Sequence, residues 1–390
     1  MIPYGKQQIT SDDIDAVVEV LKSDWLTQGP TIGKFENSVK RLCSAKYAVA
    51  TNSATSALHV ACLALGLTND DWIWTSPNTF VASANCGLYC GAQVDFVDID
   101  ADTLNMSVDA LSRKLLIAEK KKRLPKIVIP VHFAGASCDM EEIHQLSKKY
   151  GFHVIEDASH ALGATYRGYP VGACKFSDIT VFSFHPVKLV TTGEGGVATT
   201  NDFDLAKKME QFRSHGITRE PSDMDGMRHG SWHYQQVSLG YNYRMTDIAA
   251  GLGVSQLLRL NSYNSKRLEL AKNYDRMFAD HKKIKRPFCK FPNNSAWHLY
   301  VIHVPAGRRS DVFESMRKFG VGVNVHYHPV HLQPVYKKFG FGKGDFPFAE
   351  EHYDTAITLP LFPLLTETDQ SKIVTLLIDL VEKSSTSGSL

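Results

Sequence analysis

The chain has 390 residues, which is long enough for two domains or for one large domain with a smaller partner, and its 43% hydrophobic and 22% charged residues are ordinary for a globular enzyme. Its formal net charge of +2 argues against partners such as nucleic acid or a membrane surface. No apolar run reaches membrane-spanning length, and the N-terminus has no signal-peptide character. The seven cysteines are scattered singly, which predicts reduced thiols in a cytoplasmic protein.

The first predicted elements are an amphipathic helix over residues 10–22 and a short strand at Tyr47–Ala50. The strand leads into a small-polar turn, Thr51–Ser56, and then into a helix from Ala57 to Leu65. A strand, such a turn and a helix start together place free backbone N–H groups and hydroxyls where an anion can bind. Ordinary N-capping by a serine or threonine of the turn explains the same pattern.

A series of strands and helices follows. Strands are predicted at residues 72–75, Val94–Asp98 and Lys126–His132, and helices at Pro77–Ala84 and Asp139–Tyr150. This alternation predicts an α/β domain built around a mostly parallel sheet. Ligands of such sheets bind at the carboxyl ends of the strands, so the polar residues that follow each apolar run are the candidates for a functional site.

Two such residues are an acid and a lysine. Asp157 ends the predicted strand His153–Asp157, and Lys188 follows the apolar run Ile179–Phe182 before the next run, Val197–Thr200. A lysine held between buried strands can lose its proton through desolvation and attack a carbonyl as a neutral amine. Taken singly, Asp157 is equally explained as a helix cap and Lys188 as a solvated loop residue.

Together with the anion-binding turn, the two residues match the needs of pyridoxal phosphate. This cofactor requires a lysine for a Schiff base, a carboxylate that keeps the pyridine nitrogen protonated, and donors for its phosphate. The chain supplies all three residue types at predicted strand ends. The sequence therefore favours a pyridoxal-phosphate enzyme.

The remainder of the chain is predicted to form a second, smaller α/β domain. A long helical stretch from Ile248 to about His281 marks the boundary, which gives a large domain at 1–250 with an N-terminal arm and a small one at 251–390. Strands are predicted in the small domain at Leu299–Val304 and Val321–Val325. The low-complexity tail Ser384–Leu390 is predicted to be disordered.

Three histidines lie close together in the segment His326–His331 and raise the question of a metal site. Their spacing is loose and no carboxylate lies among them, whereas metal sites commonly combine such ligands at regular spacing. We expect no metal and interpret the segment as a loop that contacts substrate.

Five motifs carry a resemblance to a known family: Asn52–Leu58, Glu156–Gly163, Ser183–Lys188, Thr192–Gly196 and Gly240–Asp247. In these motifs the chain resembles the DegT/DnrJ/EryC1/StrS sugar aminotransferases, which belong to fold type I of the pyridoxal-phosphate enzymes, the fold of aspartate aminotransferase. The motifs cover most of the chain in the order and spacing of the family. Leu189 and Gly193 depart from the residues usual there, but neither change removes a group that the reaction needs.

The resemblance implies a role for each matching residue. Lys188 would form the Schiff base and act as the general base, and Asp157 would pair with the pyridinium nitrogen. Phe80 would stack on the cofactor ring, and His160 would lie near its hydroxyl group. The phosphate would be held by a set of small residues: Ala54, Thr55, Ser183 and, from the other subunit of a homodimer, Asn242. The cofactor would alternate between pyridoxal phosphate and pyridoxamine phosphate (PMP), which predicts ping-pong kinetics.

The ends of the chain are most similar to the branch of the family that serves pseudaminic acid biosynthesis, through Ile2–Gln8, Trp25–Pro30 and Val325–Pro334. That branch aminates C4 of UDP-2-acetamido-2,6-dideoxy-β-L-arabino-hexos-4-ulose with L-glutamate as the donor, for surface polysaccharide and flagellin glycosylation. The resemblance implies substrate contacts by Tyr4, Trp25, His326 and Tyr327. Packing of the N-terminal arm is the alternative role for Tyr4 and Trp25.

Other functions of the same fold stay open. Amination of a UDP-4-keto-pentose or of a GDP- or dTDP-4-keto-6-deoxyhexose needs the same catalytic residues. A regulatory protein that binds the cofactor would share the fold, but no helix-turn-helix segment or basic face supports it. Relatives that dehydrate sugars carry histidine in place of the lysine, and Lys188 argues against that chemistry. The Gly193–Gly196 turn does not open a βαβ unit as a dinucleotide-binding enzyme requires.

Overall fold

Short apolar runs rich in β-branched residues form the strands of the molecule. The computed structural model describes residues 1–382, so the prediction for the tail Ser384–Leu390 lies outside the described residues. The strands in chain order are β1 (Tyr47–Thr51), β2 (Trp72–Thr75), β3 (Gln93–Phe96), β4 (Ile127–Ile129), β5 (His153–Asp157), β6 (Thr165–Tyr166), β7 (Tyr169–Pro170), β8 (Ile179–Ser183), β9 (Gly196–Thr200), β10 (Ile217–Thr218), β11 (Gln235–Gln236), β12 (Tyr300–His303) and β13 (Ala356–Leu359).

A seven-stranded sheet carries the site, in the order β1-β9-β8-β5-β4-β2-β3. The strands from β3 to β8 in this order pair in parallel, whereas β9 runs antiparallel to both β8 and β1. Parallel strands are covered on both faces, which explains why β4 is apolar and fully buried along its length. The predicted α/β fold with a mostly parallel sheet is confirmed.

Helices connect the strands and cover the sheet. They are α1 (Ser11–Lys22), α2 (Pro30–Cys43), α3 (Ala54–Ala64), α4 (Ala82–Tyr89), α5 (Val108–Lys120), α6 (Met140–Tyr150), α7 (Phe203–Arg213), α8 (Asp247–Leu257), α9 (Leu260–Met277), α10 (Arg309–Lys318), α11 (Pro334–Lys337), α12 (Pro347–Thr355) and α13 (Glu367–Glu382). Among residues 1–382, each helix is too short or too polar to cross a membrane.

Two predicted helices have different limits. The helix predicted at Pro77–Ala84 begins only at Ala82, because residues 77–80 form a loop. The stretch predicted as one helix from Ile248 to His281 is two helices, α8 and α9. The break lies at Arg259, where ψ is −1° and the guanidinium binds the buried carboxylate of Asp13 in α1. A contact that is distant in sequence therefore decides where the helix breaks.

The predicted strand Val321–Val325 is wrong. The segment makes only single bridges, Val321 with Ile2 and Asn324 with Thr358 of β13. The N-terminal arm occupies the first part of the segment, where Gly322 N donates to Ile2 O at 2.7 Å. The backbone polar groups are thus satisfied by two different neighbours instead of one continuous ladder.

The C-terminal third packs around its own apolar cluster. The antiparallel pair β12–β13 contributes Tyr300 and Ile357 to it, and α9 and α13 contribute Tyr274 and Leu377. The division into domains at 1–250 and 251–390 stays a prediction; its boundary falls inside α8, and the cluster begins further on, at Leu270.

Candidate active site

A cavity of about 910 Å³ lies beside the carboxyl end of β5 and the loop after β8. The predicted site residues that line it come from five parts of the chain: Tyr4; Ala54 and Thr55; Phe80; Asp157, His160, Ser183 and Lys188; His326 and Tyr327. Trp25 and Asn242 are not among the lining residues of this chain, and Trp25 is 54% exposed. The fold therefore brings residues from the whole length of the chain to one concave site, as expected for an α/β sheet.

Lys188 is the candidate nucleophile of this cavity. Burial lowers the pKa of its amine to about 8, and the carboxylate of Asp157 acts in the opposite direction. Within the described part of the chain, no acceptor forms a hydrogen bond with its Nζ. A lysine with such a pKa is partly neutral near physiological pH and can react with a carbonyl carbon.

Asp157 faces the same cavity from the end of β5, which pairs with β8 in parallel. Its Oδ2 accepts a hydrogen bond from Ser83 Oγ at 2.6 Å, and its Oδ1 accepts from Ser159 Oγ at 2.6 Å and from Ser159 N at 3.1 Å. Thr79 Oγ1 lies 2.8 Å from Ser83 Oγ and extends the network. The carboxylate is thus held from both oxygens at a buried position, ready to pair with a protonated ring nitrogen.

The start of α3 has the features of the predicted anion site. The helix begins at Ala54, three residues earlier than predicted, because Ser53 caps it by accepting from Ser56 N at 3.1 Å. The N–H groups of Ala54 and Thr55 have no acceptor among residues 1–382, as is usual in the first turn of a helix. These donors line the cavity and can hold a phosphate. The Ser53 cap is therefore observed, and it leaves the N–H groups of Ala54 and Thr55 free for the predicted anion.

Gly196 lets the start of β9 approach this helix terminus. A Cβ at this position would lie 2.4 Å from Ser53 O and 2.5 Å from Ala54 N. Only glycine avoids that overlap with backbone atoms. The glycine of the Thr192–Gly196 motif therefore has a packing role against the anion site.

His160 and Tyr327 meet in the cavity, with His160 Nε2 3.1 Å from the Tyr327 hydroxyl. Burial and the nearby charge of Lys188 hold the pKa of His160 well below its ordinary value, so the imidazole is neutral. Its Nδ1 is buried and has no hydrogen-bond partner in the described residues. An orphaned polar atom of this kind fits a bound group that supplies the missing partner.

Two residues at the mouth of the cavity, His185 and Glu194, were not identified as a pair from the sequence. His185 Nε2 lies 4.0 Å from Glu194 Oε1, and both side chains are substantially exposed. Phe80 is also exposed, and its ring centroid lies 6.5 Å from that of Tyr327. The exposure of His185 and Glu194 fits contact with a substrate, and the stacking of Phe80 on the cofactor ring stays a prediction.

The histidines of His326–His331 bind separate protein partners. His326 Nδ1 lies 2.8 Å from Thr358 Oγ1, and His331 Nε2 lies 3.0 Å from Glu350 Oε1. No group of three or more His, Cys, Asp or Glu side chains within residues 1–382 is arranged to hold a metal ion. Of these histidines, only His326 lines the cavity.

Comparisons with known proteins assign the family. The model of the DegT/DnrJ/EryC1/StrS aminotransferase family matches residues 7–378, and the chain belongs to this family. It is 37% identical over 386 residues to the UDP-4-amino-4,6-dideoxy-N-acetyl-beta-L-altrosamine transaminase of Campylobacter jejuni, with 98% of each chain covered. It is 33% identical over 390 residues to the UDP-4-amino-4-deoxy-L-arabinose–oxoglutarate aminotransferase of Shewanella sediminis, with 97% and 98% covered.

Solved structures agree with the fold. Helicobacter pylori PseC, an aminotransferase involved in the biosynthesis of pseudoaminic acid, superposes with a TM-score of 0.89 at 33% identity, with 98% of this chain and 99% of that chain covered. The PMP form of Streptococcus pneumoniae Spr1654 gives a TM-score of 0.89 at 32% identity, with 98% and 100% covered. These similarities confirm the predicted fold type I and extend over nearly the whole chain.

Proposed function

We propose that the protein is a pyridoxal-phosphate-dependent aminotransferase that moves the amino group of L-glutamate to C4 of a UDP-linked 4-keto-6-deoxy-N-acetylhexosamine. The observation that carries the proposal is that Lys188, Asp157 and the free N–H groups of Ala54 and Thr55 line one cavity. These are the three kinds of group that the cofactor requires. Solved relatives include both the PLP form and the PMP form of Spr1654.

The residues of the cavity fit this cofactor in distinct ways. Lys188 is the residue for the covalent link, and Asp157 pairs with the ring nitrogen. Ala54, Thr55 and Ser183 hold the phosphate, His160 offers a partner to the ring hydroxyl, and Phe80 covers a face of the ring. When bound, pyridoxal phosphate supplies an electron sink for breaking a C–H bond next to nitrogen. Lys188 Nζ, with a pKa of about 8, can accept and return a proton close to neutral pH.

A homodimer is part of the proposal. Among the residues that line the cavity, Lys188 is the only lysine or arginine, so a second subunit is our candidate source of further donors for the phosphate groups of cofactor and nucleotide. Asn242 is exposed outside the cavity of its own chain, and its carbonyl accepts from Asn52 Nδ2 at 3.5 Å. We assign Asn242 of the partner subunit to the cofactor phosphate. The described cysteines are free thiols, which supports a cytoplasmic location.

The relatives support our choice of sugar. The altrosamine transaminase of Campylobacter jejuni and PseC support the N-acetylated 6-deoxy sugar of pseudaminic acid biosynthesis. The Shewanella sediminis relative, named for a 4-amino-pentose, favours a UDP-4-keto-pentose as the second candidate. Tyr4, His326 and Tyr327 line the cavity and are our candidates for substrate contact. Trp25 does not line the cavity, so it would contact only a part of the substrate that extends outside it.

A substrate panel tests the proposal. The protein with pyridoxal phosphate is given L-glutamate and, separately, the N-acetylated UDP-4-keto-6-deoxy sugar, a UDP-4-keto-pentose, and GDP- and dTDP-4-keto-6-deoxyhexoses. We expect amination at C4 of the first, identified by mass spectrometry and NMR, and none with Lys188→Ala. Preferential amination of the pentose would establish the second candidate. Protein that binds the cofactor but aminates none of the sugars would refute the aminotransferase assignment.

A further inference from the structure

Two of the cavity-lining residues, His326 and Tyr327, come from the C-terminal third of the chain, where hydrogen bonds connect them to the buried His352 and the half-buried His303. His352 Nε2, on α12, lies 2.8 Å from His326 O. His352 Nδ1 lies 2.9 Å from His303 Nε2, on β12. The site side chains thus depend on contacts that begin outside the cavity.

The positions of the hydrogens in this series of hydrogen bonds follow from the acceptors. A carbonyl oxygen only accepts, so His352 Nε2 carries a hydrogen and donates to His326 O. Burial lowers the pKa of His352 to about 4, so the ring is neutral and its Nδ1 is an acceptor. His303 Nε2–H therefore donates to His352 Nδ1. Burial likewise lowers the pKa of His303 to about 3, which keeps this arrangement through the physiological range.

The turn that carries His326 and Tyr327 is also attached to the loop of residues 77–80. Tyr327 N donates to Asn78 Oδ1 at 3.2 Å, and Val330 N donates to Pro77 O at 2.9 Å. The Pro77–Phe80 loop ends at Phe80, whose exposed ring lies at the mouth of the cavity. Tyr327 also contacts His160 through its hydroxyl. A displacement of the turn would therefore move groups on two walls of the cavity.

We propose that His352 is a positioning residue for the active cavity: by fixing the carbonyl of His326, it sets the place of Tyr327 against His160. The inference rests on the proposed function, since it concerns the cavity assigned to the cofactor. Loss of the His352 N–H leaves a buried carbonyl unpaired, which favours a shifted turn. The His326 ring keeps its own contact with Thr358, so the turn loses its position without losing every anchor.

The experiment compares three variants with wild-type protein. His352→Phe keeps a ring but removes both nitrogens, and His352→Gln keeps an N–H that can reach His326 O. His144→Phe is the matched control, because His144 Nδ1 lies 3.2 Å from the carbonyl of Phe176 and the residue does not line the cavity. The measurements are the dissociation constant of pyridoxal phosphate, the visible circular dichroism of the bound cofactor, and the thermal midpoint.

We expect His352→Phe to weaken cofactor binding about tenfold, which corresponds to about 1.4 kcal/mol, and to change the dichroism. His352→Gln restores most of both, and His144→Phe changes neither. If His352→Phe fails to fold, His303→Leu removes the donor to His352 Nδ1 and should give a smaller change in the same direction. Unchanged binding and dichroism in the folded variant overturn the inference. Wild-type protein that binds no pyridoxal phosphate overturns the proposed function, and this inference with it.

Discussion

Ser83 Oγ donates a hydrogen bond to Asp157 Oδ2 at 2.6 Å, across 74 positions of sequence. Ser83 lies near the start of α4, and Asp157 ends β5. With Ser159 on the other oxygen, the serine fixes the plane of the buried carboxylate. The orientation of the group assigned to the cofactor nitrogen thus depends on a helix that contributes no charge.

Replacement of this serine should weaken cofactor binding without abolishing folding. For Ser83→Ala we expect an increase of roughly tenfold in the dissociation constant of pyridoxal phosphate, since a hydrogen bond to a charged group contributes about 1.5–3 kcal/mol. The control is Ser147→Ala, another buried helical serine, which donates to the carbonyl of His144 at 2.8 Å and does not line the cavity. Equal cofactor affinity in Ser83→Ala and wild type would contradict the role.

Gly196→Ala should disrupt the anion site. The added Cβ meets Ser53 O and Ala54 N at 2.4 and 2.5 Å, and both are backbone atoms that cannot rotate away. We expect loss of cofactor retention in gel filtration together with a lower thermal midpoint. Gly33→Ala is the control, because Gly33 lies within α2 with no atom near its Cβ position. That change should raise stability by about 0.5–1 kcal/mol, since glycine is unfavourable within a helix.

The shared position of two candidate residues could be predicted from sequence because each follows an apolar run. Asp157 and Lys188 come after the runs that form β5 and β8, and the parallel pairing of these strands brings both residues to one edge of the sheet. Ser83 could not be found in this way. A serine in a short helix has no periodic signal, and its partner is distant in sequence. The contact of Tyr327 with His160 spans 167 positions and was equally hidden.

The fold shows the same division between local and distant causes. Most strands of the central sheet were predicted close to their observed limits because their apolar runs are buried on both faces, whereas the strand predicted at Lys126–His132 already ends at Ile129. The break at Arg259 depends on Asp13, and the absence of a strand at Val321–Val325 depends on the arm at Ile2. Both incorrect predictions fall on segments that contact residues near the N-terminus.

The buried pair of His132 and Glu156 should contribute to the pH dependence of stability. His132 Nε2 lies 2.7 Å from Glu156 Oε2, with both side chains almost inaccessible. Burial opposes the charged form of His132. Interactions with the side chains of Cys138 and Glu156 nevertheless raise the pKa of His132 from 6.5 to about 10. Burial also opposes ionisation of Glu156, but His132 brings the pKa of that carboxyl below 4.5. The stabilising effect is therefore complete between about pH 4.5 and 6.5.

Above this range the contribution of His132 is lost as the pH rises through about 10, and below it that of Glu156 is lost as the carboxylate is protonated. For Glu156→Gln we expect a loss of about 3 kcal/mol in the free energy of unfolding at pH 6, because a buried charge loses its partner. Urea denaturation measures it. Glu19→Gln, which breaks an exposed pair with Lys22, is the control and should change little. Equal losses in both variants would exclude a special contribution of the buried pair.

The rate of covalent attachment of the cofactor should report the pKa of Lys188. Burial lowers this pKa to about 8, and only the neutral amine attacks an aldehyde. We expect the rate to rise with pH and to level off above about 8, measured as the visible absorbance that develops when pyridoxal phosphate is added to cofactor-free protein. Lys188→Ala should bind the cofactor without this absorbance change. A rate that still rises steeply between pH 9 and 10 would show that the lysine has an ordinary pKa.

Mixing two inactive variants should restore activity if the site is shared between subunits. In a dimer of one Lys188→Ala chain and one Asn242→Ala chain, one site carries both changes, and the other keeps Lys188 together with Asn242 of the partner subunit. After the two are unfolded and refolded together, we expect about a quarter of wild-type activity, since half of the dimers are mixed and each has one intact site. Each variant refolded alone is the control and should stay below that level. If Asn242 instead acted within its own chain, each mixed dimer would have one site that lacks Lys188 and one site that lacks Asn242. Neither site would be intact, so the activity would not rise above that of the controls.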